Sequence, residues 1–245
     1  MTLADTLPLH RRRVRSFVRR EGRITPAQKD ALERLWPRYG VDPSTAALLD
    51  FATLFGRAAD VVMEIGFGSG DYLLSRAHAE PGKNFLGVEV HRPGVGRVLH
   101  RAEQMGLSNL RVACHDAVEV LRDGIATAAL SEIVIYFPDP WPKKRHHKRR
   151  LIQPDFAQLA ASRLMVGGRL LLATDWADYA EQMRTVLNAE KSLRNSAADG
   201  GYVPRPVARP TTRFEARGER LGHSVFDLEF VRVGVGSQES GVRDD

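Results

Sequence analysis

Val61-Val62-Met63-Glu64-Ile65-Gly66-Phe67-Gly68-Ser69-Gly70-Asp71 is the stretch on which the reading of this chain turns. Its apolar start reads as a buried strand, and the alternating glycines at its end read as the tight turn that carries a strand into a helix. A ligand can approach the backbone closely at such a turn. The spacing is G-x-G-x-G followed by Asp71, whereas the pyrophosphate fingerprint requires G-x-G-x-x-G and an acid at this point repels phosphate. The loop suits a nucleoside carrying an amino-acid tail. A tight turn with no ligand is the plain alternative.

Outward from this stretch the same pattern recurs. Short apolar runs at Phe85 to Val90, Leu110 to Cys114, Ile133 to Phe137 and Leu170 to Thr174 alternate with helix-length segments at Gly70 to Ala79, His91 to Met105, Ala117 to Arg122, Pro154 to Leu164 and Trp176 to Ala189. That alternation predicts an α/β, Rossmann-like, doubly wound and mainly parallel seven-stranded sheet. Val225 to Val233 alternates apolar and charged residues, as one strand of an antiparallel C-terminal hairpin should. Ahead of the sheet, Thr25 and Pro26 open a helix through Trp36, and Asp42-Pro43 opens a second through about Phe55. The expected organisation is a basic flexible N-terminal arm over residues 1–25, one catalytic domain over 26–233 and a disordered polar tail over 234–245.

A chain of 245 residues with 43% hydrophobic and 27% charged residues can bury one substantial core. It has no apolar run of the roughly 18 residues a membrane span needs. The single cysteine, Cys114, excludes an internal disulfide framework and multi-cysteine metal sites, and the eight histidines show no metal spacing. No metal and a cytoplasmic location are therefore expected. The net charge of +6 is concentrated in His10 to Arg23 and Lys143 to Arg150, which points to a polyanionic partner. An arginine-rich start also faintly resembles a mitochondrial presequence, but an RNA clamp gives those arginines a better use.

The acids fall at strand ends. Glu64 ends the first strand, where it could hold a cationic amino group; Glu89 ends the second, where it could accept from ribose hydroxyls; Asp116 follows the third, facing an adenine amine. Each alone could be a helix cap or a solvated charge, Asp116 above all. With Gly66, Gly68 and Gly70 they make a nucleoside site. The fourth strand delivers Pro138-Asp139-Pro140-Trp141-Pro142, whose prolines stiffen the loop and aim Asp139 and Trp141. An acid beside an indole makes a pocket for a flat base, although Trp141 could equally plug the core. Beyond it, Lys143, Lys144, Arg145, His146, His147, Lys148, Arg149 and Arg150 run without an acid and would meet phosphates flanking that base, a solvated face being the bland alternative.

These blocks closely resemble the bacterial tRNA (guanine-N7-)-methyltransferase family. The resemblance runs through Arg15-Ser16-Phe17-Val18-Arg19-Arg20 to Trp36-Pro37, Glu64 to Gly70, Phe137 to Arg150, Thr174-Asp175, Thr212-Arg213-Phe214-Glu215-Ala216-Arg217-Gly218 and Leu221-Gly222-His223. It implies a Rossmann-like domain that uses S-adenosylmethionine, yields S-adenosylhomocysteine and methylates N7 of guanine 46 in the tRNA variable loop. It further implies cofactor contacts from Glu64, Glu89 and Asp116, a catalytic and cofactor-proximal Asp139, substrate contacts from Lys143, Asp175 and Thr212 to Glu215, and Arg145 to Arg150 on the RNA. No obligatory protein partner is implied, and a monomer or homodimer would serve. Three other readings compete: a methyltransferase of exocyclic amines, for which the loop order Asp-Pro-Trp-Pro is wrong; a non-catalytic RNA-binding protein; and a nicotinamide-dependent dehydrogenase, which the glycine spacing disfavours.

Overall fold

The computed structural model describes residues 16–17, 23–43, 48–207, 209 and 224–234. The arm up to residue 15, the Thr212 to Glu215 block and the tail from 235 onward lie outside them.

In the described residues the chain opens with α1 (Pro26–Tyr39), whose first turn is closed by a capping box: Gln28 N–H donates to Thr25 Oγ1 at 3.3 Å and Thr25 N–H to Gln28 Oε1 at 2.9 Å. The helix continues past Trp36 through Pro37, because a proline in the last turn removes only one late hydrogen bond. Strand β1 (Gly40–Val41) follows, then α2 (Phe51–Phe55). The second helix was expected from Asp42-Pro43. It starts instead at Asp50, whose carboxylate accepts from Ala52 and Thr53 N–H.

The repeat then proceeds through β2 (Val61–Ile65), α3 (Asp71–Ala79), β3 (Asn84–Val88), α4 (Arg92–Gln104), β4 (Leu110–Ala113), α5 (Ala117–Glu119), β5 (Leu130–Tyr136), α6 (Pro154–Arg163), β6 (Leu164–Thr174), α7 (Ala177–Asn188), β7 (Leu193–Asn195) and β8 (Phe226–Arg232). The helix expected over Ala117 to Arg122 keeps α geometry only to Glu119 and widens into a π turn over Val120–Gly124. Arg163 caps that turn, donating to the Leu121 and Arg122 carbonyls at 2.7 and 3.1 Å.

The sheet has the order β1-β4-β3-β2-β5-β6-β8-β7. Its central strands are parallel, and β8 runs antiparallel to both β6 and β7. Among the described residues the sheet has eight strands where seven were expected, the extra one being the two-residue β1 on β4. The antiparallel C-terminal pair is present, but β8 inserts between β6 and β7, so the pair is closed by a long connection. Alternate strand residues enter opposite cores: Met63, Leu86, Ile133 and Leu172 pack with α6 and α7 residues such as Phe156 and Met183, while Val62, Phe85, Val134 and Leu171 pack with α1, α3 and α4 residues such as Leu35, Leu73 and Leu99. Both faces are covered, which is why the strands read as continuous apolar runs.

Strand order reverses between β2 and β5, and the carboxyl edge there is where open α/β sheets hold ligands. The opposite edge is pinned by charge. Glu132 at the start of β5 is buried (3% exposed) and accepts from Arg76, Lys83 and Arg169 at 3.0–3.4 Å.

Candidate active site

A cavity of about 520 Å³ opens at the reversal point. Its wall includes Gly66 after β2, Glu89 and His91 after β3, His115 and Asp116 after β4, Phe137 to Pro142 after β5, Leu151, and Ser16 and Phe17 from the N-terminal segment. Of the acids read from the sequence, Glu89, Asp116 and Asp139 therefore share one cavity. Glu64, Gly68, Gly70, Lys143 and Asp175 are not among its lining residues.

Each position has a local cause. Strand β3 stops at Val88, earlier than expected, because the Glu89 carboxylate turns the chain: it accepts from Val90 and His91 N–H at 2.7 and 2.9 Å and from Gly68 N–H at 3.0 Å. One acid thereby ties the second strand end to the glycine loop. Gly70 has φ +75°, and a Cβ there would lie 2.1 Å from Val98 Cγ2, so both its backbone and its neighbour demand glycine. At Gly66 (φ +72°) an added Cβ would meet nothing within 4 Å, which leaves the loop open on the cavity side. Asp71 is held by the Ser69 hydroxyl at 2.7 Å and by Arg101. Asp116 both caps α5, accepting from Val118 N–H at 3.0 Å, and faces the cavity. Capping therefore does not remove Asp116 from the cavity wall.

Glu64 is 5% exposed, and its Oε2 has no hydrogen-bond partner. Burial pushes its carboxyl up to about 8; Arg76 works against that and Glu89 adds to it.

The loop after β5 is strained. Phe137 and Trp141 have φ of +51° and +47°, a region that bulky residues leave unless their surroundings hold them there. Phe137 N–H donates to Ala173 O at 2.8 Å. Trp141 Nε1–H donates to Ser16 O at 3.0 Å, the Arg149 guanidinium lies 4.8 Å from the ring centre, and His146 meets the ring edge-on at 5.8 Å. Trp141 lines the cavity as expected, but Arg149 already stacks on the ring. Asp139 is exposed into the cavity mouth. Asp175 follows the buried Thr174 at the end of β6, on the same sheet edge.

The basic run forms a 3-10 turn over Lys144–Arg149. Lys143, Lys144, Arg145 and Lys148 are exposed, and His146, His147 and Arg149 half-buried. Partial burial and then the surrounding Arg145, Arg149, Lys143 and Lys148 push His146 below the usual histidine range. Arg150, expected on the RNA, is corrected: it is 2% exposed, donates to Pro140 O and Gln182 Oε1 at 2.8 and 2.7 Å, pairs with Asp178 and stacks on Tyr179. It braces the proline loop from behind. The cavity residues His91, His115 and Leu151 were not singled out from the sequence; the two histidines stand at the ends of β3 and β4, so the strand-end rule that found Glu89 and Asp116 would have found them. Among the described residues no three His, Cys, Asp or Glu side chains are grouped to hold a metal ion, and no helix is long and apolar enough to cross a membrane.

A Rossmann-like sheet with this cavity defines a class that the comparisons name. A family model described as putative methyltransferase matches residues 58–228. The crystal structure of the 16S rRNA methyltransferase KamB shares the fold, with a TM-score of 0.55 and 18% identity over 77% of this chain and 95% of that one. The tRNA (guanine-N(7)-)-methyltransferase of Xanthomonas axonopodis pv. citri (strain 306) is 55% identical over 236 residues, 96% of this chain and 90% of that protein. That of Halorhodospira halophila (strain DSM 244 / SL1) is 56% identical over 217 residues, covering 89% and 94%. The chain belongs to the tRNA (guanine-N7-)-methyltransferase family.

Proposed function

We propose that the protein moves the methyl group of S-adenosylmethionine to N7 of guanine 46 in the variable loop of tRNA. The observation that carries this reading is the meeting of Glu89, Asp116 and Asp139 on one cavity beside the open glycine loop, with an exposed basic turn immediately beyond it. S-adenosylmethionine, when bound, supplies an electrophilic methyl on a sulfonium. The chain's own residues bind and orient. Glu64 would hold the ammonium of the methionine moiety, which would favour its ionised form; Glu89 would accept from ribose hydroxyls, and Asp116 from the adenine amine. Guanine N7 carries an in-plane lone pair and no proton, so alignment matters and a general base is unnecessary.

Positive charge grows on the purine during transfer, and Asp139 at the cavity mouth balances it. Asp139 and Asp175 accept from guanine N1–H and its exocyclic amine. Adenine would leave those acceptors unpaired, which rejects it. Thr212, Arg213, Phe214 and Glu215 complete the guanine contacts in this reading. The enzyme works in the cytoplasm as a monomer or homodimer, without metal, through a catalytic domain over 26–233. The test is incubation of bulk tRNA with methyl-labelled cofactor, followed by reduction and aniline treatment. Label should enter the tRNA at a site that becomes cleavable; label on adenine or cytosine, or none, would overturn the proposal.

Exposed cations in the 3-10 turn meet phosphates beside the target guanine. Replacing Lys144, Arg145 and Lys148 by Gln should weaken tRNA binding and lower the slope of log affinity against log salt by roughly 2, at about 0.7 per phosphate contact for unpaired strands. Filter binding from low to moderate salt reads the slope, and an unchanged slope would remove the turn from the RNA interface. Arg150→Ala should lower the melting temperature instead, since its partners are internal.

A further inference from the structure

One deeply buried ion pair lies outside the cavity wall. Arg209 and Asp227 are 2% and 4% exposed, with Arg209 Nε 2.9 Å from Asp227 Oδ1 and Nη2 donating to Oδ2 at 3.0 Å. The hydrogen bond through Nη2 and the ion contact at Nε together hold the guanidinium against the carboxylate. In β8, Asp227 stands opposite Ala173 of β6. Ala173 stands opposite Tyr136 of β5, and its carbonyl accepts from Phe137 N–H. On the other side of β8, Val203 N–H donates to the Asp227 carbonyl at 2.9 Å.

Arg209 reaches back across this row. Its guanidinium carbon lies 5.7 Å from the Tyr136 ring centre and 5.6 Å from that of Phe137, within the range of cation–π attraction. Its backbone is anchored as well: its N–H donates to Pro206 O at 3.0 Å, and its carbonyl accepts from Arg205 Nε and Nη2 at 3.3 and 3.0 Å. One side chain thus joins Phe137, the strained first residue of the reaction loop, to Asp227 of β8.

A buried ion pair is a weak source of stability beside an apolar pair of similar volume. What it supplies here is a fixed direction between two segments that sequence holds far apart. We infer that Arg209 is a positioning residue for the methyl acceptor: held by Asp227, it braces the Tyr136 and Phe137 rings at the root of the reaction loop and so sets where Asp139 is presented. The inference rests on the methyl-transfer reading and deepens it, because it assigns acceptor alignment to a residue that lines no part of the cavity.

The experiment compares Arg209→Met, Asp227→Leu and the double variant with the wild type. Melting temperature, cofactor Kd by calorimetry, and kcat and KM for tRNA are measured on each. Either single change should lower kcat/KM for tRNA by about tenfold to a hundredfold, the cost of a small misplacement in a reaction that depends on alignment. Cofactor Kd should stay within about twofold of wild type, since Glu89 and Asp116 stand at other strand ends and Arg209 itself lines no part of the cavity. The double variant should melt above either single variant without regaining kcat/KM. Recovery of both together, a cofactor Kd that weakens in step with activity, or unchanged kcat/KM in the single variants would each overturn the assignment. Should the apolar variants not fold, Arg209→Lys decides: it keeps the charge and loses the planar guanidinium over Tyr136 and Phe137, so kcat/KM should fall at a near-wild-type melting temperature, and full activity overturns the inference. Failure of the wild-type protein itself to label tRNA would overturn the methyl-transfer reading, which separates the two failures.

Discussion

Asp139→Ala should lower kcat/KM for tRNA methylation by about 10²–10³-fold, the range measured when one preorganised electrostatic group is removed from a developing charge. The protein should nevertheless stay folded. Asp139 is exposed and makes no hydrogen bond or ion pair with a described residue, so its loss should change stability by no more than about 0.5 kcal/mol. Asp139→Asn separates charge from shape: it retains one acceptor oxygen and loses the negative charge, and it should keep most of the deficit if balancing the purine's charge is the main role. Single-turnover methylation together with a melting curve reads both properties. Near-normal turnover in the Ala variant would move the chemistry elsewhere in the cavity.

The second large effect lies at the opposite edge of the sheet. Glu132→Ala would leave Arg76, Lys83 and Arg169 around a site without its carboxylate, and breaking a buried ionic cluster from one side costs about 3–5 kcal/mol. That is a large part of the roughly 5–15 kcal/mol by which domains are stable. The effect should depend on pH in a defined direction. Burial would raise the Glu132 carboxyl, but hydrogen bonds and charge from Arg76, and then Arg169, outweigh it and hold it at about 2, against 4.5 for the free side chain. A carboxylate depressed on folding contributes its full stabilisation above about pH 4.5 and loses it as pH falls towards 2. The stability gap between wild type and Glu132→Gln should therefore narrow by up to about 3 kcal/mol between pH 5 and pH 2. Urea titrations across that window test this, and a gap independent of pH would refute it. Folded Glu132→Gln should keep its kcat at neutral pH, because the site is built at the other end of the strands.

Much of this architecture could be read from the chain because parallel strands covered on both faces write themselves as apolar runs, and the acids after them mark the ligand edge. The glycine loop, Glu89, Asp116 and the proline segment were legible for that reason. What escaped the reading is short or depends on distant partners. Strand β1 has two residues and β7 has three, too few for any period to register, and nothing local tells β8 to enter between β6 and β7. Arg150 looks in sequence like its basic neighbours; only the packing of α7 brings Asp178 and Gln182 to it. Arg209 was passed over for the converse reason, since its partner Asp227 sits in a strand whose pairing the sequence does not state.

The insertion of β8 between β6 and β7 also orders events at the ribosome. Strand β6 is complete at Thr174, yet the neighbour that covers its open side ends at Arg232. With synthesis at about 5–20 residues per second, that side stays unpaired for several seconds. The nascent chain meanwhile exposes the backbone of Leu170, Leu171 and Leu172, the kind of bare edge on which chains aggregate. Closure of the sheet on that side therefore waits until Phe226–Arg232 has been made.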